Sequence, residues 1–455
     1  MKIKTSLVIT ALALTIPAMG QNPICPMGVY IADPSARVDL DGSMYIYGSL
    51  DAIPWNFCSK DYHVLSSRDL KNWTLHPYSF HHDEILYAPD MMYRDGTYHL
   101  YYDTPDGNEY VAVSNSPTGP FHDGVKIDGP TQIDPNIFID DDGQAYYFWG
   151  QFSGKGAKMN PDMKTLDMST FVDGLVTEKD NYFHEGSYVV KRGKYYYYIY
   201  ADVSRDGRPT CLGYSMATSP LGPYEYKGVI IDNSGCDPIS WNNHGSLVQF
   251  GEQWYVLYHR STHGSMTMRK ACIEPIHFNE DGTIDEVEMT TQGASGPLCA
   301  LDRLDAAKAC KMQGNIRIRL MEGHNDHEEL GGIHGGDAAV WKYLDFGSGV
   351  RRISIRVQSK LGGKILVRAD GPDGKLLGTV KVPAGKDWTV LTARIKQLSG
   401  VHALWLDFEG VHAPEIDMTS MASGDNMDWE SFIARMAEPK PDEYELFSVD
   451  WLRFK

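Results

Sequence analysis

An all-β fold is predicted: a five-bladed β-propeller followed by a C-terminal β-sandwich of jelly-roll type. Three observations predict it. The 455 residues carry 27 Tyr and 10 Trp beside 44 Gly and 24 Pro, which pairs strand-favouring aromatics with turn formers. A glycine turn running into an aromatic strand recurs five times, its glycines stepping by 54, 47, 50 and 58 residues. Beyond residue 312 the strand-like segments come closer together and lose that repeat, which marks a second domain.

The five copies of the turn are Asp41–Tyr47, Asp95–Tyr101, Asp142–Phe148, Arg192–Tyr198 and Phe250–Val256. A polar loop follows each hairpin: Ser66–Trp73, Ser114–Phe121, Asn160–Lys164, Ala217–Tyr224 and, more loosely, Arg269–Gly282. A hairpin plus two further strands per period makes a four-stranded blade, and radial repetition of such blades leaves only short sheet edges. The propeller is assigned to residues 21–300. Residues 301–312 read as a passage between domains, and residues 313–455 as the sandwich, with strands expected at 349–358, 364–369, 375–382, 388–395, 402–408 and 447–454. The stretch 411–445, rich in Met, Asp, Glu and Pro, reads as a surface insertion.

Lys2 and Lys4 precede an apolar run, Leu7–Ile16, and then Pro17-Ala18-Met19-Gly20, the pattern of an export signal cleaved after residue 20. A secreted or periplasmic location is expected. The net charge of -18 becomes more negative still without those two lysines, which argues against nucleic acid and anionic lipid as partners. After the leader no apolar run reaches the roughly 18 residues of a membrane helix, so no membrane insertion is expected. The seven cysteines show no metal-binding spacing, and their odd number leaves at least one unpaired.

The innermost strand of each blade starts near the propeller axis, so residues just ahead of the five hairpins should converge there. Those residues are Asp33, Asp90, Asp134, Glu185 and His244. A lone Asp-Pro pair is a turn initiator. Five ionisable residues in register are an acid–base site, because clustered carboxylates shift one another's protonation. Cleavage of a glycosidic bond needs such a pair: one carboxylic acid protonates the leaving oxygen and one carboxylate activates water or attacks. Glu185 is the expected general acid, Asp33 the base opposite it, and Asp134 the group that tunes and orients Glu185. No cofactor is required for that chemistry. Trp55, Phe57 and Trp241 lie in or beside loops where an aromatic ring could stack on a sugar, and Arg260 could bond sugar hydroxyls or pair with the surplus acids.

These residues resemble glycoside hydrolase family 43. The resemblance rests on Ala32-Asp33-Pro34, Tyr87-Ala88-Pro89-Asp90, Ile133-Asp134-Pro135-Asn136, His184-Glu185-Gly186 and Asn243-His244-Gly245-Ser246, in that order and spacing. It implies a five-bladed propeller that hydrolyses arabinose- or xylose-containing plant glycans with inversion. Position by position it implies Asp33 as general base, Asp134 as pKa modulator and Glu185 as general acid, with Asp90 among the substrate-facing positions. It also implies that His244 faces the axis, where a calcium ion or a water sits. The C-terminal part resembles a family 6 carbohydrate-binding module through Trp341–Gly347, Gly385–Trp388 and Phe447–Phe454. Trp388 matches the sugar-stacking aromatic of such modules, Ile333 stands in place of the second one, and Ser448 replaces an Asn. The leading expectation is an exo-acting α-L-arabinofuranosidase or β-xylosidase working on cell-wall oligosaccharide or polysaccharide. Galactan-, galactofuranose- and fructan-cleaving propellers, and a non-catalytic glycan-binding propeller, are the competing readings.

Overall fold

The computed structural model describes residues 14–16, 21–54, 56–237, 239–412 and 442–455, with 14–16 as backbone only. Most of the expected leader, most of the 411–445 insertion, and Trp55 therefore lie outside the described residues. The described residues are all-β apart from one short α-helix, Glu178–Asn181, and two 3₁₀ turns.

Residues 30–276 form five antiparallel sheets in sequence order. The first runs from Tyr30–Val38 through Met44–Asp51 and Ser59–Ser67 to Trp73–Leu86, with the backbone of Leu14–Ile16 added at its outer edge. The second holds Asp90–Arg94, Thr97–Asp103, Asn108–Ser114 and His122–Thr131. The third holds Asn136–Ile139, Ala145–Trp149, Ser153–Met159 and Leu166–Thr177. The fourth holds Phe183–Arg192, Tyr195–Asp202, Cys211–Ala217 and Glu225–Asp232. The fifth has three strands, Ser246–Phe250, Gln253–Thr262 and Ser265–Ile276.

All five repeat glycines join the first two strands of a sheet, and all have φ between 60° and 87°, a left-handed conformation that costs other residues energy. Each sheet buries apolar residues against the next: first on second around Tyr47 and Leu100, second on third around Val111 and Tyr147, third on fourth around Phe148 and Tyr198, fourth on fifth around Ile199 and Val256. The fifth packs back on the first around Ile31, Leu257 and Ile273, so the series of cores is cyclic. The abundant tyrosines serve these layers. Tyr47, Tyr101, Tyr197 and Tyr200 are fully buried, and their hydroxyls donate to the carbonyls of Pro117, Met163, Gly282 and Asn181 at 2.6–3.0 Å.

The fifth sheet is completed from the other end of the chain. Ile24 N–H donates to the Ala271 carbonyl (2.9 Å), while Asn22 brackets Ile273, its Nδ2 donating to the carbonyl and its Oδ1 accepting from the N–H, both at 2.9 Å. The loose fifth loop of the sequence pattern is thus part of a strand, and its outer neighbour comes from residues 22–24.

The C-terminal part is a β-sandwich of two six-stranded sheets. One contains Ala338–Asp345, Gly363–Ala369, Lys375–Val382 and Val401–Glu409; the other contains Arg317–Leu320, Glu328–Gly331, Val350–Ser359, Thr389–Leu398 and Phe447–Phe454. The core between them includes Trp341, Ile355, Val367, Leu404 and Phe447. Residues 301–312, expected to be a passage, do not behave as one. Leu304–Asp305 pairs with Phe447–Phe454 and Lys311–Gln313 with Ala338–Asp345, while Leu298–Cys299 just ahead of them joins Ala338–Asp345 in parallel. These segments are too short for alternation to register in the sequence. No helix among the described residues is long and apolar enough to cross a membrane.

The two domains share a buried seam. Lys270 of the fifth sheet pairs with Glu328 of the sandwich at 2.6 Å, both side chains about 3% exposed. His263 N–H donates to the Ile318 carbonyl (2.7 Å) and the His263 ring accepts from Leu320 N–H (3.1 Å).

Candidate active site

Asp33, Asp134, Glu185 and His244 come together as expected. Asp33 lies inside the first strand of its sheet, where the ladder slips between Ala32 and Ser35; Glu185 lies between two such slips in the fourth sheet. Irregularities of this kind turn a side chain out of the regular alternation and aim it. Asp33 and Asp134 both take left-handed backbone conformations, φ 51° and 63°. Asp tolerates that region better than most residues, and such strain concentrates at functional sites.

Asp33 is 6% exposed and densely held. Its Oδ1 accepts from Arg269 Nη1 at 2.8 Å and its Oδ2 from Ser49 Oγ at 2.6 Å. Its N–H donates to His259 Nδ1 (3.2 Å), while His259 Nε2 lies 3.0 Å from both oxygens of Asn242. Burial on its own would push the Asp33 carboxyl up, but Arg269 and the two histidines outweigh it and hold the group well below the usual carboxylate range. Asp33 is an ionised carboxylate.

Arg269 reaches further. Its Nε and backbone N–H donate to Asp51 Oδ2 at 2.9 Å and its Nη2 to Asp51 Oδ1 at 3.0 Å, while its guanidinium lies over the Phe57 ring, 5.2 Å from the centroid. Phe57 therefore stands at the site beside the Arg269 that holds Asp33. Arg269 and Asp51 had no signal in the repeat register, because each lies at a point of its sheet that the turn motif does not mark.

Asp134 is in a different electrical setting. It is 6% exposed, its Oδ2 accepts from Gly186 N–H at 2.8 Å, and among the described residues no Lys or Arg is within ion-pair distance. Burial first, and then the charge of Glu185, raise its carboxyl well above the usual range. Glu185 is half-buried and receives Gln151 Nε2 at 3.0 Å on Oε2 and Asn242 Nδ2 at 3.5 Å on Oε1. Gln151 and Asn242 are amides in loops, with nothing in their spacing to flag them. The backbone at Gly186 has φ 80°, and a Cβ there would meet the His244 ring at 3.1 Å, so only glycine lets the acid's strand pass the histidine.

His244 Nδ1 stands 3.7 Å from Asp33 Oδ1 and 4.0 Å from Asp134 Oδ1, and burial depresses its pKa. A neutral imidazole beside one Arg-bound carboxylate is a poor calcium site, since calcium takes six to eight oxygen ligands. Among the described residues no group of three or more His, Cys, Asp or Glu side chains forms a metal site.

Two expected substrate contacts are corrected. Asp90 is 1% exposed, and its oxygens accept from Ser35 Oγ (2.5 Å), Arg37 Nε (3.1 Å), Met91 N–H (2.8 Å), Asn136 Nδ2 (2.7 Å) and Ile137 N–H (2.9 Å), with Arg37 Nη2 also in contact. It ties three sheets together and has no lone pair left for sugar. Arg260 is 2% exposed and donates to Tyr258 Oη (2.6 Å) and the Thr290 carbonyl (2.7 Å), with Glu274 at 3.4 Å. Trp241 is half-buried beside Asn242.

In the sandwich, Trp388 is half-buried and one face of its ring is covered by the Arg356 guanidinium, 4.7 Å from the centroid. Ile333 is wholly buried in the core, and Ser448 donates to Glu329 Oε1 at 2.9 Å. All seven cysteines are free thiols, six of them buried and Cys299 exposed.

The comparisons with known proteins agree with this geometry. The chain is 30% identical over 467 aligned residues to a "Xylosidase/arabinosidase" of Thermoclostridium stercorarium, covering 86% of this chain and 96% of the relative. Among solved structures, a GH43 β-xylosidase/α-arabinofuranosidase from a compost microbial metagenome, in complex with xylotriose and in a calcium-free form, matches 61% of this chain and 99% of its own at 28% identity and a TM-score of 0.53. A family 43 arabinoxylan arabinofuranohydrolase from Bacillus subtilis, in complex with cellotetraose, shares the fold over 96% of this chain and 99% of its own, with a TM-score of 0.53 and 24% identity. The model of the family 6 carbohydrate-binding module matches residues 306–432. The model of glycosyl hydrolases family 43 matches residues 21–284, more than half the chain, and the protein belongs to that family: a glycoside hydrolase whose β-propeller is joined to a β-sandwich module.

Proposed function

We propose that this hydrolase is exo-acting and inverting, and that it releases α-L-arabinofuranosyl or β-xylosyl units from plant cell-wall polysaccharide. The observation that carries the reading is the electrical contrast at the site. Asp33 is held ionised by Arg269, while Asp134, beside Glu185, has no cation against it. That contrast marks Asp33 as the ionised base of the reading, with Glu185 beside Asp134 as the acid. The names of the relatives, xylosidase/arabinosidase and β-xylosidase/α-arabinofuranosidase, supply the sugar class.

In this reading the five sheets are five blades around one axis, and Asp33, Asp134 and Glu185 line its mouth. Glu185, steered by Gln151 and Asn242, protonates the glycosidic oxygen as the bond to the anomeric carbon breaks. Asp33 takes a proton from a water that attacks the opposite face of the sugar, which inverts the configuration. Asp134 orients Glu185 through Gly186. Phe57 and Trp241 offer ring faces to the sugar, and Trp388 a face to glycan further away. The N-terminal pattern adds export to the reading.

Time-resolved proton NMR tests it, with aryl arabinofuranosides, xylosides, galactofuranosides, galactosides and fructose-containing substrates, and Glu185→Gln as control. The expected result is release of arabinose or xylose, seen first as the inverted anomer. First appearance of the retained anomer, or release only from the other sugars, overturns it.

A further inference from the structure

Behind Asp134 lie two more carboxyls that the reaction as described does not use. Asp103 and Glu109 face each other across the second sheet, directly opposite in the ladder between Thr97–Asp103 and Asn108–Ser114, and both are 0% exposed. Asp103 Oδ1 accepts from the backbone N–H of Asp134 at 3.3 Å, so the pair is joined to the residue that accompanies the general acid. The rest of the pair is unsatisfied. Asp103 Oδ2, both oxygens of Glu109 and the hydroxyl of Tyr147 are buried with no hydrogen-bond partner.

Two ionised carboxylates placed there, with the Tyr147 hydroxyl as the donor beside Glu109, would leave buried lone pairs unsatisfied next to a third acid, a costly arrangement. One proton resolves it. A protonated Glu109 becomes a donor, and the oxygen opposite it that lacks a donor is Asp103 Oδ2. The groups facing the pair agree. Tyr62, Tyr87, Tyr147 and Tyr198 are phenols that stay neutral, Asp33 and Asp134 are further acids, and the one cation whose charge reaches Glu109 is Lys155. Lys155 is occupied elsewhere, donating to Gln132 Oε1 at 2.7 Å and the Ser153 carbonyl at 3.1 Å. Burial is the first cause of a strong upward displacement at both Asp103 and Glu109; at Asp103 the charge of Glu109 adds to it, and at Glu109 the Tyr147 hydroxyl opposes it while Asp134 adds to it.

We propose that Glu109 is a positioning residue that remains a carboxylic acid at neutral pH, donates its proton to Asp103 Oδ2, and thereby fixes the Asp103 carboxylate that holds the Asp134 backbone behind Glu185. No proton is consumed; it stays shared within the pair throughout turnover. The role rests on the reading of Asp134 and Glu185 given above. It makes Glu109 the far end of a line running from Asp103 through the Asp134 N–H, and then from Asp134 Oδ2 through the Gly186 N–H to the strand that carries the acid.

The test has two readouts. Infrared difference spectra of the substrate-free protein, wild type minus Glu109→Gln at pH 7.5, are expected to show a protonated-carboxyl C=O band present in the wild type and absent from the variant. In kinetics, Glu109→Gln keeps an N–H for Asp103 and is expected to retain at least about ten times the kcat/KM of Glu109→Leu, which keeps none, with kcat falling more than KM rises. A wild type lacking the band, or a band unaffected by Glu109→Gln, overturns the proposal, as does a Gln variant no better than a folded Leu variant. Because the spectra need no substrate, they stay decisive if Glu109→Leu does not fold. They also separate this inference from the catalytic reading: hydrolysis retained by Glu185→Gln would remove the acid assignment and leave the band in place.

Discussion

Arg269 grips Asp33 and Asp51 with one guanidinium, at 2.8 Å and 2.9 Å, so the proposed base is held by a residue from the opposite end of the propeller's sequence. The pairing does two things. It sets one positive charge between two buried acids, and it keeps the titration of Asp33 out of the working pH range, because Asp33 is held far below its usual range.

Arg269→Lys is therefore expected to expose that titration. An ammonium cannot engage two carboxylates as a planar fork does. With weaker pairing the Asp33 pKa rises toward the usual carboxylate range, and an acid limb that the wild-type kcat/KM profile lacks should appear. A variant profile without that limb would show that Arg269 is only structural.

Glu185→Gln and Asp33→Asn should each lower kcat by roughly 10³-fold, the scale of a lost general acid or base, with the circular dichroism spectrum unchanged. The two losses should differ by substrate. A dinitrophenyl leaving group needs little protonation, so it should rescue Glu185→Gln and not Asp33→Asn. Equal rescue of both variants would reverse or remove the assignments.

The domain seam should be sensitive to acid. His263 is buried, and that burial pushes its pKa down to about 4. The folded state thus takes up the proton later than the unfolded chain, whose histidine titrates near 6.5, and stability is lost as pH falls from about 6.5 to 4. The full shift is worth on the order of 3 kcal/mol. Calorimetry of wild type and His263→Gln across that window should show a steeper fall of Tm in the wild type; parallel curves would contradict it.

Lys270 and Glu328 should behave as a buried pair. Glu328→Gln leaves the ammonium uncompensated and should cost about 3–5 kcal/mol, whereas Lys270→Met with Glu328→Leu should cost much less or nothing. Chemical denaturation of the single and double variants measures the difference. The same pair predicts that truncation at residue 312 gives a poorly soluble propeller, because it removes Glu328 and strips strands from the sandwich together.

How far the sequence reached can be followed residue by residue. The glycine turns, the five sheets, and the convergence of Asp33, Asp134, Glu185 and His244 were legible, because a period near fifty residues repeats both the turn and the slot before it. The six strands expected in the sandwich lie within three residues of those found. Asp90 misled because register says that a residue starts an inner strand and nothing about its partners; Ser35, Arg37 and Asn136 claim its oxygens. Arg260 misled in the same way. Arg269, Asp51, Gln151 and Asn242 stayed hidden because each acts through a long-range contact with no local pattern. The strands at 298–313 were hidden by their shortness, two or three residues each.

The meeting of Asn22 and Ile24 with Ala271 and Ile273 has a consequence for biosynthesis. Residues made among the first must wait for residues made about 250 positions later before the last sheet gains its outer strand. Until then the nascent chain presents the bare edge of that sheet and the apolar faces of Ile24 and Ile31, so the fifth sheet can gain its outer neighbour only after the ribosome has moved beyond residue 273.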